Sequence, residues 1–279
     1  MASRPVPAAL SIAGSDSGGG AGIQADLKAF ARCGVHGMTA ITALTAQNTV
    51  GVTGVHPVPP EFVIEQVRAV VEDIGVDAVK IGMLGTSEIV EAVETALGLL
   101  APGTPVVLDP VMVAESGAVL LDEPARRAVV ERLLPLSTVI TPNVPEARVL
   151  AGDEHADAPQ LARVLHALGP ANVVVTGGHR DEATDVFFDG TALELIPGER
   201  YPDGSAHGSG CTHASALAAH LARGYAPLEA ARAARTIAGE AVRDGLRGLG
   251  AGAGPVDVLS LTRRANGAPA AMDVATPLA

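Results

Sequence analysis

The sequence predicts an α/β fold: a single three-layer α/β/α domain around a central, mostly parallel sheet. Three observations carry this. Short apolar runs rich in β-branched residues alternate with longer stretches whose apolar residues recur at i, i+3 and i+4. Polar and glycine-rich segments follow the apolar runs, where a parallel sheet opens its ligand crevice. No composition shift, linker or repeat divides the 279 residues, so one domain is expected over 1–262.

Strands are predicted over 8–13, 38–45, 76–81, 106–109, 138–141, 173–176 and 185–188. Each is a run of four to eight mainly apolar residues ending at a polar or glycine-rich segment. Helices are predicted over 22–31, 61–72, 87–100, 125–133, 160–168, 212–222 and 228–246. In the second of them Val63, Val67 and Val70 fall on one face. Strands alternating with helices of this length make βα units, whose sheet is covered on both faces. Residues 263–279 are Ala/Pro-rich and aperiodic, and are expected to form a flexible tail.

Composition narrows the function. Hydrophobic residues make up 48%, which excludes a disordered chain. Nineteen basic residues stand against 31 acidic ones, a net charge of −12, and Lys28 and Lys80 are the only lysines. Nucleic acid and anionic membranes need clustered Lys/Arg, so neither is an expected partner. Aromatic residues are 2% with no Trp, which removes base-stacking platforms. Two cysteines, Cys33 and Cys211, make neither a disulfide framework nor a cysteine zinc site. The N-terminal residues lack an apolar signal core and no 18-residue apolar span occurs, so a cytoplasmic protein is expected.

Six segments carry chemistry. Gly14 to Gly22, after the first strand, holds five glycines with Ser15 and Asp16. It is not a phosphate loop of the Gly-Lys-Ser/Thr type. Its G-x-G-x-x-A at Gly20, Gly22 and Ala25 is followed by no acidic residue from Ala29 to Pro60, against dinucleotide binding. Either it is a tight strand-to-helix turn or it faces a ligand. Gln47, within Thr45–Thr49, offers a donor and an acceptor to a heterocycle, or closes a turn. Met83, within Lys80–Leu84, is core or the floor of a flat-ring pocket. Asp109, at a strand's carboxyl end, reads as a Mg²⁺ group or a helix cap. Asn143 and Glu146 suit hydrated Mg²⁺ on a nucleotide or a capping box.

The most specific segment is His207 to Leu217, where Gly208, Ser209 and Gly210 open an Ala-rich helix. Free N–H groups near Gly208–Cys211 make an anion hole supported by the helix dipole. A cysteine in a helix's first turn is expected to have a depressed thiol pKa and to accept a proton from a hydroxyl. The alternative is a small buried Cys at a close contact. Cys33 reads as packing. Together these features fit phosphoryl transfer. A cysteine-nucleophile hydrolase using Cys211 with His207 or His213 is the alternative from another class.

The segments AGSDSGGGAGIQADLK, ITALTAQNT, KIGML, LDPVM, TPNVPEA and HGSGCT resemble those of the hydroxymethylpyrimidine/phosphomethylpyrimidine kinases of thiamine biosynthesis, colinearly from about Ala9 to Gly245. The resemblance implies a ribokinase-like fold, a homodimer and two ATP- and Mg²⁺-dependent phosphorylations. These convert 4-amino-5-hydroxymethyl-2-methylpyrimidine to its monophosphate and then its diphosphate. It implies Cys211 as base, with Gly208, Ser209 and Gly210 beside it as the anion hole. Gln47, Met83, Gly14, Asp26 and Val111 would hold the pyrimidine. Asn143, Glu146, Thr176 and Gly178 would face the nucleotide, and Asp109 with Glu146 the metal. One departure stands out: many relatives carry Lys where this chain has Thr176, before Gly177-Gly178-His179. Arg180, another cation or the metal must make up that charge. A pyridoxal/pyridoxine kinase of the cysteine-base type is the alternative among kinases.

Overall fold

The computed structural model describes residues 5–113, 117, 120–177, 183–202 and 204–265. An eight-stranded sheet runs in the order β10-β9-β8-β7-β6-β5-β1-β2. Strands β1 (Ala8–Ala13), β2 (His36–Ile41), β5 (Ala78–Ile81), β6 (Val106–Leu108), β7 (Val139–Ile140) and β8 (Val173–Val175) are parallel. Strands β9 (Asp185–Phe188) and β10 (Leu193–Ile196) run antiparallel at one edge.

Side-chain alternation along the strands builds two cores. Leu10, Ile12, Val79, Ile81 and Leu108 face helices α2 (Pro60–Asp73), α3 (Ser87–Leu97), α5 (Val144–Ala151) and α6 (Ala158–His166). Ala9, Val107, Val139, Val174 and Phe187 face α1 (Gly22–Arg32), α7 (Ser209–Ala222) and α8 (Pro227–Arg243). Ala214, Ala216, Ala218 and Ala219 of α7 are fully buried, so this helix lies close on β5 and β6. The short α9 (Leu261–Ala265) completes the described chain, and most of the expected tail lies outside the described residues.

Three expectations change. The strand expected over 38–45 is two: β2 ends at Ile41, and β3 (Ala43–Gln47) leaves the sheet to pair with β4 (Val52–Pro57). Thr42 makes the break. Its hydroxyl donates to the Met83 carbonyl at 2.7 Å and its amide to Ala13. The helix expected over 125–133 is a six-residue α4 (Glu123–Ala128) that widens into a π-turn over Val129–Leu133 and tightens at Pro135. Helix α5 and strands β4 and β10 were not predicted; β4 is mostly exposed and has no apolar period to read. Among the described residues no helix is long and apolar enough to cross a membrane.

Candidate active site

The chain leaves β1 toward β2 on one side and returns to β5 on the other, which puts a topological switch point at the carboxyl ends of β1 and β5. There Gly14 donates to the Met83 carbonyl at 3.2 Å, and a Cβ at Gly14 would lie 3.0 Å from the Met83 sulfur. Glycine lets half-buried Met83 lie over the mouth of β1. Gln47 ends β3 on the same rim, cross-bonded to Ser17 through its backbone. Val111 follows Asp109 in a tight turn in which its amide donates to the Asp109 carbonyl at 2.8 Å.

The glycine-rich loop is internally satisfied. Asp16 accepts from the amides of Gly18, Gly20 and Ala21 at 2.8–2.9 Å and lies 3.2 Å from His207 Nε2. Burial pushes this carboxyl up, but His207 and the three amides outweigh it and hold it below its usual range. Those amides are therefore spoken for and are not donors to a phosphate. The loop's job at this level is to brace α7: a Cβ at Gly20 would overlap the His207 ring, and one at Gly208 would overlap the Gly20 carbonyl.

Helix α7 begins at Gly208, which has φ +83° and accepts from Thr212 at 2.9 Å. Ser209 is a correction: its amide donates to the Ala206 carbonyl, so it is not a free donor. The amides of Gly210 and Cys211 lie in the first turn, where a helix supplies no acceptor, and a Cβ at Gly210 would meet open space. The amides left without an acceptor at this helix start are thus those of Gly210 and Cys211, just past the positive-φ turn at Gly208.

The Cys211 thiol corrects a second expectation. Burial pushes it up to about 12, against the pull of Lys80 and the Gly22 amide. The helix-start effect predicted from sequence is outweighed by desolvation. Asp26 corrects a third. It does not line the cleft; it is fully buried and accepts from Ser11 (2.5 Å), Ser215 (2.7 Å) and Lys80 (3.0 and 3.2 Å).

Asn143 and Glu146 form the capping box of α5: Glu146 donates its amide to Asn143 Oδ1 at 2.9 Å, and Asn143 donates its own to Glu146 Oε2 at 3.0 Å. The box turns Glu146 back toward Asp109. Burial, then the Asp109 charge, push the Glu146 carboxyl up to about 8. Asp109 Oδ2 is buried with no hydrogen-bond partner and lies 3.8 Å from Lys80 Nζ. Burial pushes the Asp109 carboxyl up as well, against the pull of Lys80 and His213, and two buried carboxylates whose charge is costly suit a divalent cation. Among the described residues no three acidic, His or Cys side chains form a metal cluster.

Thr176 bridges to Asn143 and donates its amide to Pro142 at 2.9 Å, which seats it beside the capping box. Gly177 donates to Asp185 at 2.8 Å. Gly178 and Arg180 lie outside the described residues. Asp185 also faces His213 at 3.4 Å and Arg235 at 3.8 Å. Sequence reasoning missed this trio. Its only signal was an acidic residue opening an apolar strand.

The raised Glu146 carboxyl makes a prediction for the metal-free protein. A folded pKa near 8 against about 4.5 unfolded means the folded state keeps a proton the unfolded state has shed. Stability from this group is full below about pH 4.5 and is lost as pH rises through 8. Glu146→Gln keeps both capping-box contacts. In EDTA at pH 8 it should unfold a few degrees higher than the parent, on the order of 1–2 kcal/mol, with no difference at pH 4.5. Equal Tm values at pH 8 would refute it.

A switch-point cleft with free amides at a helix start, a thiol beneath them and a facing carboxylate pair defines a small-molecule phosphotransferase. The chain belongs to the phosphomethylpyrimidine kinase family, whose model matches residues 16–257. It is 49% identical over 256 residues to a hydroxymethylpyrimidine/phosphomethylpyrimidine kinase of Rhizobium meliloti, covering 89% of this chain and 95% of that one. Among solved structures, a pyridoxal kinase of Bacillus subtilis in complex with ADP is 38% identical. It superposes with a TM-score of 0.83 over 92% of this chain and 99% of its own. A phosphomethylpyrimidine kinase of Clostridium difficile is 40% identical, with a TM-score of 0.72 over 82% and 96%. The cysteine hydrolase alternative falls with this assignment; His207 and His213 both face carboxylates.

Proposed function

We infer that the protein phosphorylates 4-amino-5-hydroxymethyl-2-methylpyrimidine and then its monophosphate, using ATP, in thiamine biosynthesis. The observation that carries this reading is the start of α7, where open amides at Gly210 and Cys211 adjoin the Cys211 thiol inside a family-matched chain. The pyrimidine lies on the surface that Met83 and Gly14 form together, with Gln47 bonding its amino group and ring nitrogen and Val111 closing the rim. The hydroxymethyl oxygen attacks the γ-phosphorus and the bond from that phosphorus to the β,γ-bridging oxygen breaks, releasing ADP. The hydroxyl proton passes to Cys211 Sγ, which must be thiolate to take it. Burial opposes that form; Lys80 and the Gly22 amide favour it. A loose transition state asks little of the base until late in the transfer. The helix-start amides receive charge on the moving phosphoryl group.

Asp109 and Glu146 would hold Mg²⁺, and Asn143, Thr176 and Gly178 would flank the nucleotide. The metal would offset charge on the β- and γ-phosphates when bound. The kinase domain is read as residues 1–262, with 263–279 as its tail, in a cytoplasmic enzyme. A homodimer is supported by the apolar side chains that the β3–β4 hairpin and α2 leave exposed, Leu44, Val50, Val55 and Phe62; sedimentation velocity tests it.

The test is ATP consumption with the hydroxymethyl and phosphomethyl pyrimidines separately, and with pyridoxal. Turnover of both pyrimidines is expected. The close superposition of a pyridoxal kinase favours pyridoxal as a second, slower substrate. A kcat/KM that favours pyridoxal would sink the order of these readings.

Thr176 supplies no cation to the phosphates. Thr176→Lys is expected to lower KM for ATP by up to about tenfold, the worth of one charge-assisted contact, with kcat changed little. An unchanged KM would show that the missing charge is already supplied elsewhere.

A further inference from the structure

Lys80 is an anomaly of burial. It sits in β5 between Val79 and Ile81, its side chain has 0% exposure, and it is the only Lys or Arg in the buried class among the described residues. Leaving an ammonium there requires partners, because an isolated buried charge is strongly unfavourable. Asp26 of α1 supplies them, at 3.0 and 3.2 Å. Asp26 in turn accepts from Ser11 of β1 and from Ser215 of α7, one helical turn past Cys211. One pair therefore ties β1, β5, α1 and α7 together beneath the cleft. The ammonium also lies 3.8 Å from Asp109 Oδ2, and it acts on the Cys211 thiol. Above it the backbone is close: a Cβ at Gly82 would fall 2.7 Å from Lys80 Nζ and 3.0 Å from the Ala13 Cβ.

Fold stability does not demand this arrangement. Replacing a buried ion pair by uncharged groups of similar shape is often neutral or stabilising. What the pair provides and uncharged groups cannot is a fixed, oriented charge pair whose ammonium lies 3.8 Å from Asp109 Oδ2, in a place where water does not screen it.

We propose that Lys80 is a positioning residue for phosphoryl transfer: held by Asp26, it presents a permanent buried cation to Cys211 and Asp109 and balances negative charge that develops at the transfer step. This rests on the reading of Cys211 as the acceptor-side group. Lys80 also supplies, 3.8 Å from Asp109, part of the positive charge that Thr176 does not.

The decisive variant is Lys80→Met with Asp26→Asn, which removes both charges of the pair together. It is expected to fold with a Tm near that of the parent. It should bind the hydroxymethyl pyrimidine, measured calorimetrically, with a Kd within about threefold, and lose about 100-fold or more in kcat at saturating ATP, the scale of one preorganised electrostatic group. A structural pair would leave kcat and Kd both near the parent, and kcat within about threefold overturns the proposal. Should that variant not fold, Gly82→Ala decides: it keeps both charges and displaces the ammonium. Here a kcat loss of about tenfold with Kd retained supports the proposal, and an unchanged kcat overturns it. Cys211→Ala run in parallel separates the two readings. An active Cys211→Ala removes the acceptor reading of the thiol; an inactive one beside a fully active double variant removes only the role of Lys80.

Discussion

Replacing Cys211 by alanine is expected to lower kcat by about 10² to 10⁴-fold, the usual worth of a positioned proton acceptor, while the Kd for the pyrimidine changes by less than about threefold. The side chain removed is small, and the site around it keeps Met83, Gln47 and the Gly210 and Cys211 amides, none of which depends on sulfur. Substrate binding should therefore survive. The Gly22 amide and the Lys80 ammonium are the two groups that favour the thiol's charged form, against its burial. Cys211→Ser sharpens the test. A hydroxyl gives up its proton far less readily than a thiol, so serine should behave like alanine in kcat although it restores volume. A serine variant at near-parental rate would mean that the group at 211 positions the substrate and takes no proton.

Much of this site is legible in sequence because polar residues at the carboxyl ends of parallel strands have few other uses. Asp109 and Met83 lie just past β6 and β5, where the strand pattern places them. What sequence could not rank was competing demand on the same group. Asp16 reads as a ligand contact until three amides of its own loop are found on it. Ser209 reads as an anion-hole donor until its amide is found on Ala206. The Cys211 thiol shows the same limit in energetic form. Helix-start stabilisation depends on local position and can be read from sequence, whereas desolvation depends on what packs over the group from distant segments. Asp26 was misplaced because α1 does point toward the cleft, but its partners Lys80 and Ser215 are 54 and 189 residues away. The same reasoning explains the split of the expected strand at Thr42, whose hydroxyl is drawn to Met83, 41 residues on. The edge strand β10 and the hairpin strand β4 escaped for another reason: half-exposed strands carry little hydrophobic period.

Gly208→Ala should be strongly damaging for a single added methyl. The residue has φ +83°, a conformation that costs any side-chain-bearing residue on the order of 1 kcal/mol. The added carbon would also overlap the Gly20 carbonyl, which belongs to a loop that Asp16 holds rigid through three amides. Neither partner can yield cheaply: moving the loop strips Asp16 of its donors, and moving Gly208 rotates the first turn of α7. The expected result is a loss of about 2–4 kcal/mol in stability and a fall in kcat of at least about 100-fold, because the Gly210 and Cys211 amides lose their aim. Gly210→Ala is the control. It is a neighbour in the same turn, but its φ is not positive and its Cβ would meet open space. Stability should then change by less than about 1 kcal/mol, and any loss of rate must come from a methyl standing in the path of the phosphoryl group. If the two variants unfolded at the same temperature, the clash with Gly20 would not be what makes glycine necessary at 208. If Gly208→Ala lost stability and kept its rate, the helix start would not be where the transferred phosphoryl group is held.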